Sequence, residues 1–298
     1  MNLLRYTPAV FFFCIVLPVH AQSEVRTVET RNYTDVLKLF DEIGYTADRW
    51  QSGLREVPRI ELTRIPQRWQ KQSSHIPVKD KKRVFFRLAT PGILLANEKV
   101  KADREQMLNK ISKQNTSDDQ WLVELALKYK VIEKGASTLG SDDLARLKKR
   151  VDIIPPSLAL AQAAEESGWG TSRFAVQGNS LFGQWDFSGK GIKPKEQRKQ
   201  LGNYGIAKFD EPQQSIEAYF LNLNTHRAYK QLREKRAAMR ENDIKPSGWE
   251  LAKTLDKYSE RGKDYVKSLH SIMSYNKLMP VDDAYLWDQG IIIVSPVP

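Results

Sequence analysis

Cysteine is almost absent from this chain, because Cys14 is the single cysteine among 298 residues. It lies in an apolar N-terminal stretch, so loss of that stretch would leave no thiol and no disulfide to stabilise the core. Histidine is also scarce. The four histidines, none of which shows metal-ligand spacing, are His20, His75, His226 and His270. We therefore expect no metal site.

The sequence also lacks an apolar run of the about 20 residues that comfortably spans a bilayer. The shorter run Ala9–Leu17 follows Arg5 and precedes the small-residue site Val19-His20-Ala21. This order is typical of a secretory signal peptide. We predict that residues 1–21 are such a signal and that the protein is exported to the periplasm or cell envelope. An uncleaved anchor is the alternative.

Acidic residues are outnumbered, since 36 Asp and Glu face 47 Lys and Arg and give a formal net charge of +11. A basic surface concentrates acidic partners. In an exported protein, nucleic acid is an unsuitable partner, and the charge favours peripheral contact with an anionic wall polymer or a membrane surface. A charge that serves only solubility is the competing interpretation.

The segment Ser157–Gly168 predicts a helix of small residues that begins after Pro155-Pro156 and ends at a glycine. Its last turn carries Glu165 and Glu166. Carboxylates there face the negative end of the helix dipole, which disfavours ionisation and suits a group that donates a proton. At about 100° per residue the two side chains point in different directions, so at most one lines a given cleft. A solvated pair at a fraying helix end is the alternative.

Two short motifs carry a family resemblance. The order Glu166-Ser167-Gly168-Trp169-Gly170, then Asn179-Ser180-Leu181-Phe182-Gly183, resembles the signature of the glucosaminidase-type peptidoglycan hydrolases, which include flagellar rod hydrolases and autolysins. The similarity covers roughly residues 150–280, and segments upstream resemble the Bax branch of that family. The resemblance implies a predominantly helical α+β, lysozyme-like domain with one small β-hairpin, no cofactor, and the glycan strands of peptidoglycan as partner.

We expect three regions after the signal. Residues 22–115 form a helical and extended N-terminal extension, residues 116–282 the glucosaminidase domain, and residues 283–298 a C-terminal tail. Helical periodicity predicts a helix broken near Pro91 and another helix from Gln213 to Arg240. A hairpin or two-armed loop is expected between Gly189 and Phe209.

The resemblance implies three catalytic candidates. Glu166 matches the position of the family's catalytic glutamate and would be the general acid. Glu196, on the expected hairpin, would be the second carboxylate, although its basic neighbours also suit a solvated charge run. Tyr265 would support the reacting sugar or pack in the core, and the Thr-Asp-Pro lead-in of many relatives is replaced by Arg261-Gly262-Lys263-Asp264.

Saccharide clefts combine aromatic faces with amide side chains. The candidates for these substrate-binding roles are Trp169, Phe182, Trp185 and Tyr219 as platforms, and Asn179 and Asn224 as hydrogen-bond partners. Any one of the aromatic residues could instead be core.

The leading functional expectation is an exported endo-β-N-acetylglucosaminidase acting on peptidoglycan. A lytic transglycosylase of the same fold is one alternative, and a catalytically weak wall-binding module is the other. The stereochemical outcome depends on the separation of two carboxyl groups, which sequence spacing does not determine.

Overall fold

The structure is a computed structural model that describes residues 24–113, 118–196 and 202–297. The helices of these ranges are α1 (Tyr33–Glu42), α2 (Ala47–Gln51), α3 (Gln67–Gln72), α4 (Val78–Ser112), α5 (Gln120–Lys128), α6 (Ser141–Arg150), α7 (Pro156–Ser167), α8 (Arg173–Gly178), α9 (Pro212–Thr225), α10 (Lys230–Glu241), α11 (Gly248–Ala252) and α12 (Lys263–Tyr275). The strands are β1 (Val25–Thr30), β2 (Glu56–Val57), β3 (Ile60–Leu62), β4 (Trp185–Asp186), β5 (Gly205–Ile206), β6 (Tyr285–Leu286) and β7 (Ile291–Pro296). The expected α+β, predominantly helical class is confirmed.

Helix α7 lies at the centre of the fold, where α4, α11 and α12 pack around it. Pro156 occupies its first turn, and Gly168 ends it in the left-handed conformation with φ 56°. Its small side chains permit close approach. A Cβ added at Gly248 of α11 would lie only 2.0 Å from Ser157 Oγ. The alanine-rich sequence therefore serves dense packing around the helix, and most of α7 is buried.

The helix break expected near Pro91 is wrong, because α4 runs unbroken for 35 residues. Proline removes a backbone donor and destabilises an isolated helix. Here Thr90 Oγ1 donates to the Phe86 carbonyl at 2.7 Å. A Cβ at Gly92 would meet side chains of α9 at 2.8 Å, so the helices touch closely at this point. Tertiary packing against α7 and α9 thus maintains the helix through the proline.

The C-terminal tail forms part of a parallel sheet with strand order β1-β7-β3. Ile292 and Val294 of β7 are buried, and Val294 pairs with Leu62 of β3. The tail is therefore the central strand, flanked by two strands of the N-terminal extension. A sheet of this kind requires both ends of the described chain to be present together.

The N-terminal extension also contributes to the core around α7. Asn97 of α4 binds Ile154, two residues before α7: its Nδ2 donates to the Ile154 carbonyl at 2.8 Å and its Oδ1 accepts from the Ile154 N–H at 3.1 Å. One apolar cluster contains residues from Val57 to Leu286. The boundaries near 115 and 283 therefore divide the sequence but not the core.

Two other local expectations needed correction. A hairpin is present, in which β4 pairs antiparallel with β5. Strand β5 lies within the expected region, but β4 lies just before it. Ile192 adds a single bridge to Ile206. The helix expected from Gln213 to Arg240 is two helices, α9 and α10, because the chain turns at His226.

Residues 1–21, the predicted signal, lie outside the described residues. Among the residues the structure describes, no helix combines the length and the apolar character needed to cross a membrane.

Candidate active site

Glu166 lies in the last turn of α7 and is half-buried. Burial raises the pKa of its carboxyl above the ordinary value, and the neighbouring Glu165 adds to this rise. The Tyr265 hydroxyl and the charge of Arg261 act in the opposite direction without cancelling this rise. The net effect keeps Glu166 protonated to a higher pH than an exposed glutamate.

Glu165 has a different environment, as helical geometry predicts for the adjacent position. Its carboxylate forms an ion pair with Arg261, whose guanidinium also donates to Ser268 Oγ at 2.6 Å. This pairing holds Arg261 beside α7. The two glutamates thus divide into one ion-paired carboxylate and one that faces phenol groups.

The charge of Glu166 acts on four tyrosines, which we call the tyrosine cage: Tyr219, Tyr229, Tyr258 and Tyr265. Burial raises the pKa of each phenol, and the charge of Glu166 raises it further. Tyr258 and Tyr265 stack with ring centroids 5.4 Å apart. Its members are neutral phenols and add no formal charge near Glu166.

Gln162 connects two members of the cage. It is fully buried on α7, one turn before Glu166. The Tyr219 hydroxyl donates to Gln162 Oε1 at 2.6 Å, and Gln162 Nε2 donates to the Tyr265 hydroxyl oxygen at 3.0 Å. A continuous hydrogen-bond chain therefore leads from α9 through α7 to the tyrosine beside Glu166.

The second motif reaches the same carboxyl through Gly183. A Cβ placed on this glycine would lie 3.8 Å from Glu166 Oε2, and the residue has φ 61°. Glycine is suited to this backbone conformation and leaves the space over the carboxyl open. The two halves of the sequence motif thus meet at Glu166, which their order alone could not show.

Phe182 and Tyr219 are wrong as sugar platforms, because they are buried and stack on each other. Their relative exposures are 2% and 0%, and their ring centroids lie 3.8 Å apart. Neither ring presents a free face to a ligand. Both belong to the main apolar cluster of the core, and the Tyr219 hydroxyl is already bonded to Gln162.

Asn179 is likewise a structural residue. It adopts φ 50° at the end of α8, which asparagine tolerates well. Its Nδ2 donates to the carbonyls of Phe209 and Asp210 at 3.1 and 2.8 Å, and its Oδ1 accepts from the Ile65 N–H at 2.9 Å. These bonds occupy the amide, so the predicted role in substrate binding is corrected to a clamp between three segments.

Asn224 is also corrected, because it is fully buried. Its Nδ2 donates to the Asp152 carbonyl at 2.9 Å, and its Oδ1 accepts from Arg236 at 2.8 Å. It belongs to a charged cluster on α10 and the segment before α7, not to a cleft.

Trp169 and Trp185 differ in exposure. Trp169 is half-buried against Phe85 and Phe86, with ring centroids 5.7 and 5.2 Å away, and Lys82 lies over its ring. Trp185 is 51% exposed and lies beside Phe187, which is 65% exposed. The exposed pair on the hairpin is therefore the better aromatic surface for a ligand.

Glu196 lies exposed in the segment between β4 and β5. Within the described residues, no hydrogen bond joins its carboxylate to Glu166 or to the tyrosine cage. Its predicted role as second carboxylate stays a prediction.

Comparison with known proteins assigns the family. The family model described as mannosyl-glycoprotein endo-beta-N-acetylglucosaminidase matches residues 141–278. Protein bax of Escherichia coli strain K12 is 32% identical over 204 residues, which are 66% of this chain and 70% of that protein. The chain belongs to the Bax-like branch of the glucosaminidase family.

A solved structure is also similar to this glucosaminidase-family chain. It is the catalytic domain of the autolysin Auto from Listeria monocytogenes, with 21% identity and a TM-score of 0.34, covering 60% of this chain and 87% of that one.

Sequence reasoning missed several residues of the site in this Bax-like chain. Gln162, Tyr229 and Tyr258 were not singled out for a role. Gln162 could have been found, because a buried amide four positions before Glu166 lies on the same helix face. The described part of the chain contains no cluster of His, Cys, Asp and Glu that could hold a metal ion.

Proposed function

We propose that the protein is an exported endo-β-N-acetylglucosaminidase that cleaves peptidoglycan glycan strands, with Glu166 as general acid. The observation that carries this proposal is the position of Glu166, half-buried among phenols with a raised pKa. Such a carboxyl retains the proton that a glycosidic leaving oxygen needs. The family assignment adds a glycan as the chemical class of substrate.

The surroundings of Glu166 act on both its protonated and its ionised form. Burial favours the protonated carboxyl before the reaction, whereas the Tyr265 hydroxyl favours the ionised form that remains after transfer. Gly183 lies beside Glu166 Oε2 and presents no side chain to the carboxyl. The site therefore provides a proton donor with a built-in stabiliser of its conjugate base.

Cleavage of a glycosidic bond creates an oxocarbenium-like centre on the sugar, and a second group is needed to stabilise or trap it. We infer that Glu196 fills this role when the hairpin meets the glycan, and the substrate's 2-acetamido group is the alternative nucleophile. In the first case, Glu196→Gln removes the acidic limb of the pH–rate profile and lowers turnover. An unchanged profile with full activity would favour the substrate-assisted route.

A lytic transglycosylase remains the second candidate, because that reaction also needs only one glutamate. One observation favours this candidate. Glu165, the carboxylate adjacent to Glu166, forms an ion pair with Arg261, so within the described part of the chain Glu166 is the one glutamate in the last turn of α7 without such a pair. The two reactions differ in product. A hydrolase creates reducing N-acetylglucosamine ends, whereas a transglycosylase releases anhydro-muramyl ends.

Digestion of purified sacculi, followed by mass spectrometry of the new ends, tests the proposal. We expect reducing N-acetylglucosamine ends from the wild type and none from Glu166→Gln. Anhydro-muramyl ends would establish the transglycosylase. Binding to sacculi without any release would indicate a wall-binding module.

Export can be tested separately by N-terminal sequencing of the protein from a periplasmic fraction. Cleavage after Ala21 should give a chain that begins at Gln22. A chain that retains residues 1–21 and fractionates with membranes would instead support an anchor.

A further inference from the structure

Gln162 is an unexpected residue in its surroundings. The neighbouring positions of α7 carry alanine and leucine, and Gln162 is fully buried among them. Burying an amide costs free energy unless its groups form hydrogen bonds. An apolar side chain of similar size would fill the same volume without that requirement. The amide is therefore explained by its two partners, Tyr219 and Tyr265.

The direction of these bonds follows from counting protons. A tyrosine hydroxyl carries one proton and can accept further bonds at its oxygen. Tyr219 uses its proton on Gln162 Oε1, at 2.6 Å. The other end of the amide, Nε2, then faces Tyr265 and donates to its oxygen at 3.0 Å. Tyr265 is thereby left with its own proton for another acceptor, and the adjacent acceptor is Glu166.

We propose that Gln162 is a positioning residue that orients the Tyr265 hydroxyl so that it donates to the carboxylate of Glu166. This inference rests on the proposed function, in which Glu166 is the general acid. Gln162 itself does not touch the reacting atoms. It acts through Tyr265, and Tyr219 fixes which end of the amide faces Tyr265.

Other groups also act on Glu166 and must be kept constant in a test. Glu165 on α7 disfavours its ionisation, and Arg261 before α12 favours it. Tyr219 of α9, Tyr229 after α9 and Tyr258 before α12 are neutral phenols with raised pKa values. A change at Gln162 alters none of these formal charges. A shift in the titration of Glu166 would therefore report the orientation of Tyr265.

The sign of the shift is defined. A hydrogen bond donated by Tyr265 stabilises the ionised carboxyl, so its loss raises the pKa of Glu166. One ordinary hydrogen bond corresponds to about half to one pH unit. Gln162→Met removes the amide with little change in volume. We expect it to raise the pKa of Glu166 by that amount, and Tyr265→Phe to raise it at least as far.

The experiment is a carbon-13 NMR titration of the Glu166 carboxyl in four proteins: the wild type, Gln162→Met, Tyr265→Phe and the double variant. If Gln162 acts through Tyr265, the double variant titrates as Tyr265→Phe does. Shifts that add would overturn the proposal, because they would show two independent effects. An unchanged pKa in Gln162→Met would overturn it as well, even with a lowered melting temperature.

Ser157→Ala is the matched control. Ser157 is buried at the other end of α7, where its hydroxyl donates to Asp282 at 2.8 Å. This variant loses a buried hydrogen bond on the same helix without touching the cage, so it should destabilise the protein and leave the Glu166 titration unchanged. A shift equal to that of Gln162→Met would overturn the proposal, because any damage to α7 would then suffice.

The titration needs no substrate, so it separates the two proposals. If Glu166→Gln still degrades sacculi, the proposed function fails while the coupling of Gln162 and Tyr265 can stand. If Glu166→Gln is inactive and Gln162→Met leaves the titration unchanged, the general acid stands and the positioning role is wrong.

Discussion

The pKa values of the buried Asp152 and the half-buried Glu166 are shifted in opposite directions. Burial is the largest influence on both, and it raises the pKa of each. At Asp152, however, Arg240, Arg236 and Arg104 together outweigh burial and lower the pKa. At Glu166 the Tyr265 hydroxyl and the charge of Arg261 act against burial without outweighing it, and the pKa stays raised. The comparison teaches that the partners of a carboxyl removed from water decide whether its pKa rises or falls.

The Asp152 cluster lies between α10 and the segment that precedes α7. Asp152 accepts two hydrogen bonds of 2.7 Å from Arg240 and lies 3.7 Å from Nε of the fully buried Arg236. Arg236 donates to the carbonyls of residues 149, 152 and 153, which precede α7. The cluster thus joins α10 to the start of α7, whereas Glu166 and Tyr265 lie at its end.

The largest expected effect comes from breaking the Asp152 cluster. Asp152→Asn would leave the arginines without their carboxylate, and breaking a buried ion pair costs about 3–5 kcal/mol. We expect a loss of that size in the free energy of unfolding, measured with chemical denaturant. Asp264→Asn, which removes an exposed carboxylate paired with Lys267, is the control. Similar losses in the two variants would refute the contrast.

The second largest effect is expected at Glu166, where we predict a loss of activity without a loss of stability. Glu166→Gln should lower wall-degrading activity by at least ~10²-fold, the low end for loss of a general acid. Its stability should be unchanged or raised at neutral pH, because a neutral amide avoids the cost of burying a carboxyl that ionises. Glu165→Gln, which loses the ion pair with Arg261, should retain far more activity. Equal activity losses would contradict the assignment of Glu166.

The two carboxyls should also differ in how pH affects stability. Asp152 has a depressed pKa, so its contribution is present above the unfolded pKa and is lost as pH falls through the folded value. Glu166 has a raised pKa, so it destabilises the fold as pH rises from the ordinary 4.5 toward its folded value. Melting temperatures measured against pH should show wild type losing stability relative to Glu166→Gln in that window. A constant difference would be the contrary result.

The smallest expected effect concerns the exposed hairpin. Trp185→Ala in an inactive Glu166→Gln background should weaken sacculus binding about 3- to 10-fold, the worth of one aromatic contact. Stability should change little, because Trp185 is 51% exposed. Tyr275→Ala removes another exposed aromatic, on α12, and should leave binding unchanged. Unchanged binding of Trp185→Ala with a lowered melting temperature would show that Trp185 is a packing residue.

Local sequence signals predicted the limits of α7 well. The prolines, the small residues and Gly168 are local determinants, and α7 begins and ends within a residue of the predicted limits. The continuity of α4 through Pro91 and the central position of β7 were not predicted, because both depend on packing partners distant in sequence. The same reason explains why Phe182, Tyr219 and Asn224 were assigned to the cleft. The residue type alone does not distinguish an aromatic or amide side chain in the core from one in a binding site.

The sequence by itself determined the family, the limits of α7 and the position of Glu166 in its last turn, since these follow from nearest neighbours along the chain and from motif order. Only the tertiary structure decided that Glu166 meets phenols while Asp152 meets arginines. Tyr219, Tyr258 and Tyr265 come from segments more than fifty residues beyond Glu166, and no local pattern states which side chains will face it. The pKa of a buried group depends on those neighbours, so the chemistry of the site is a property of the fold.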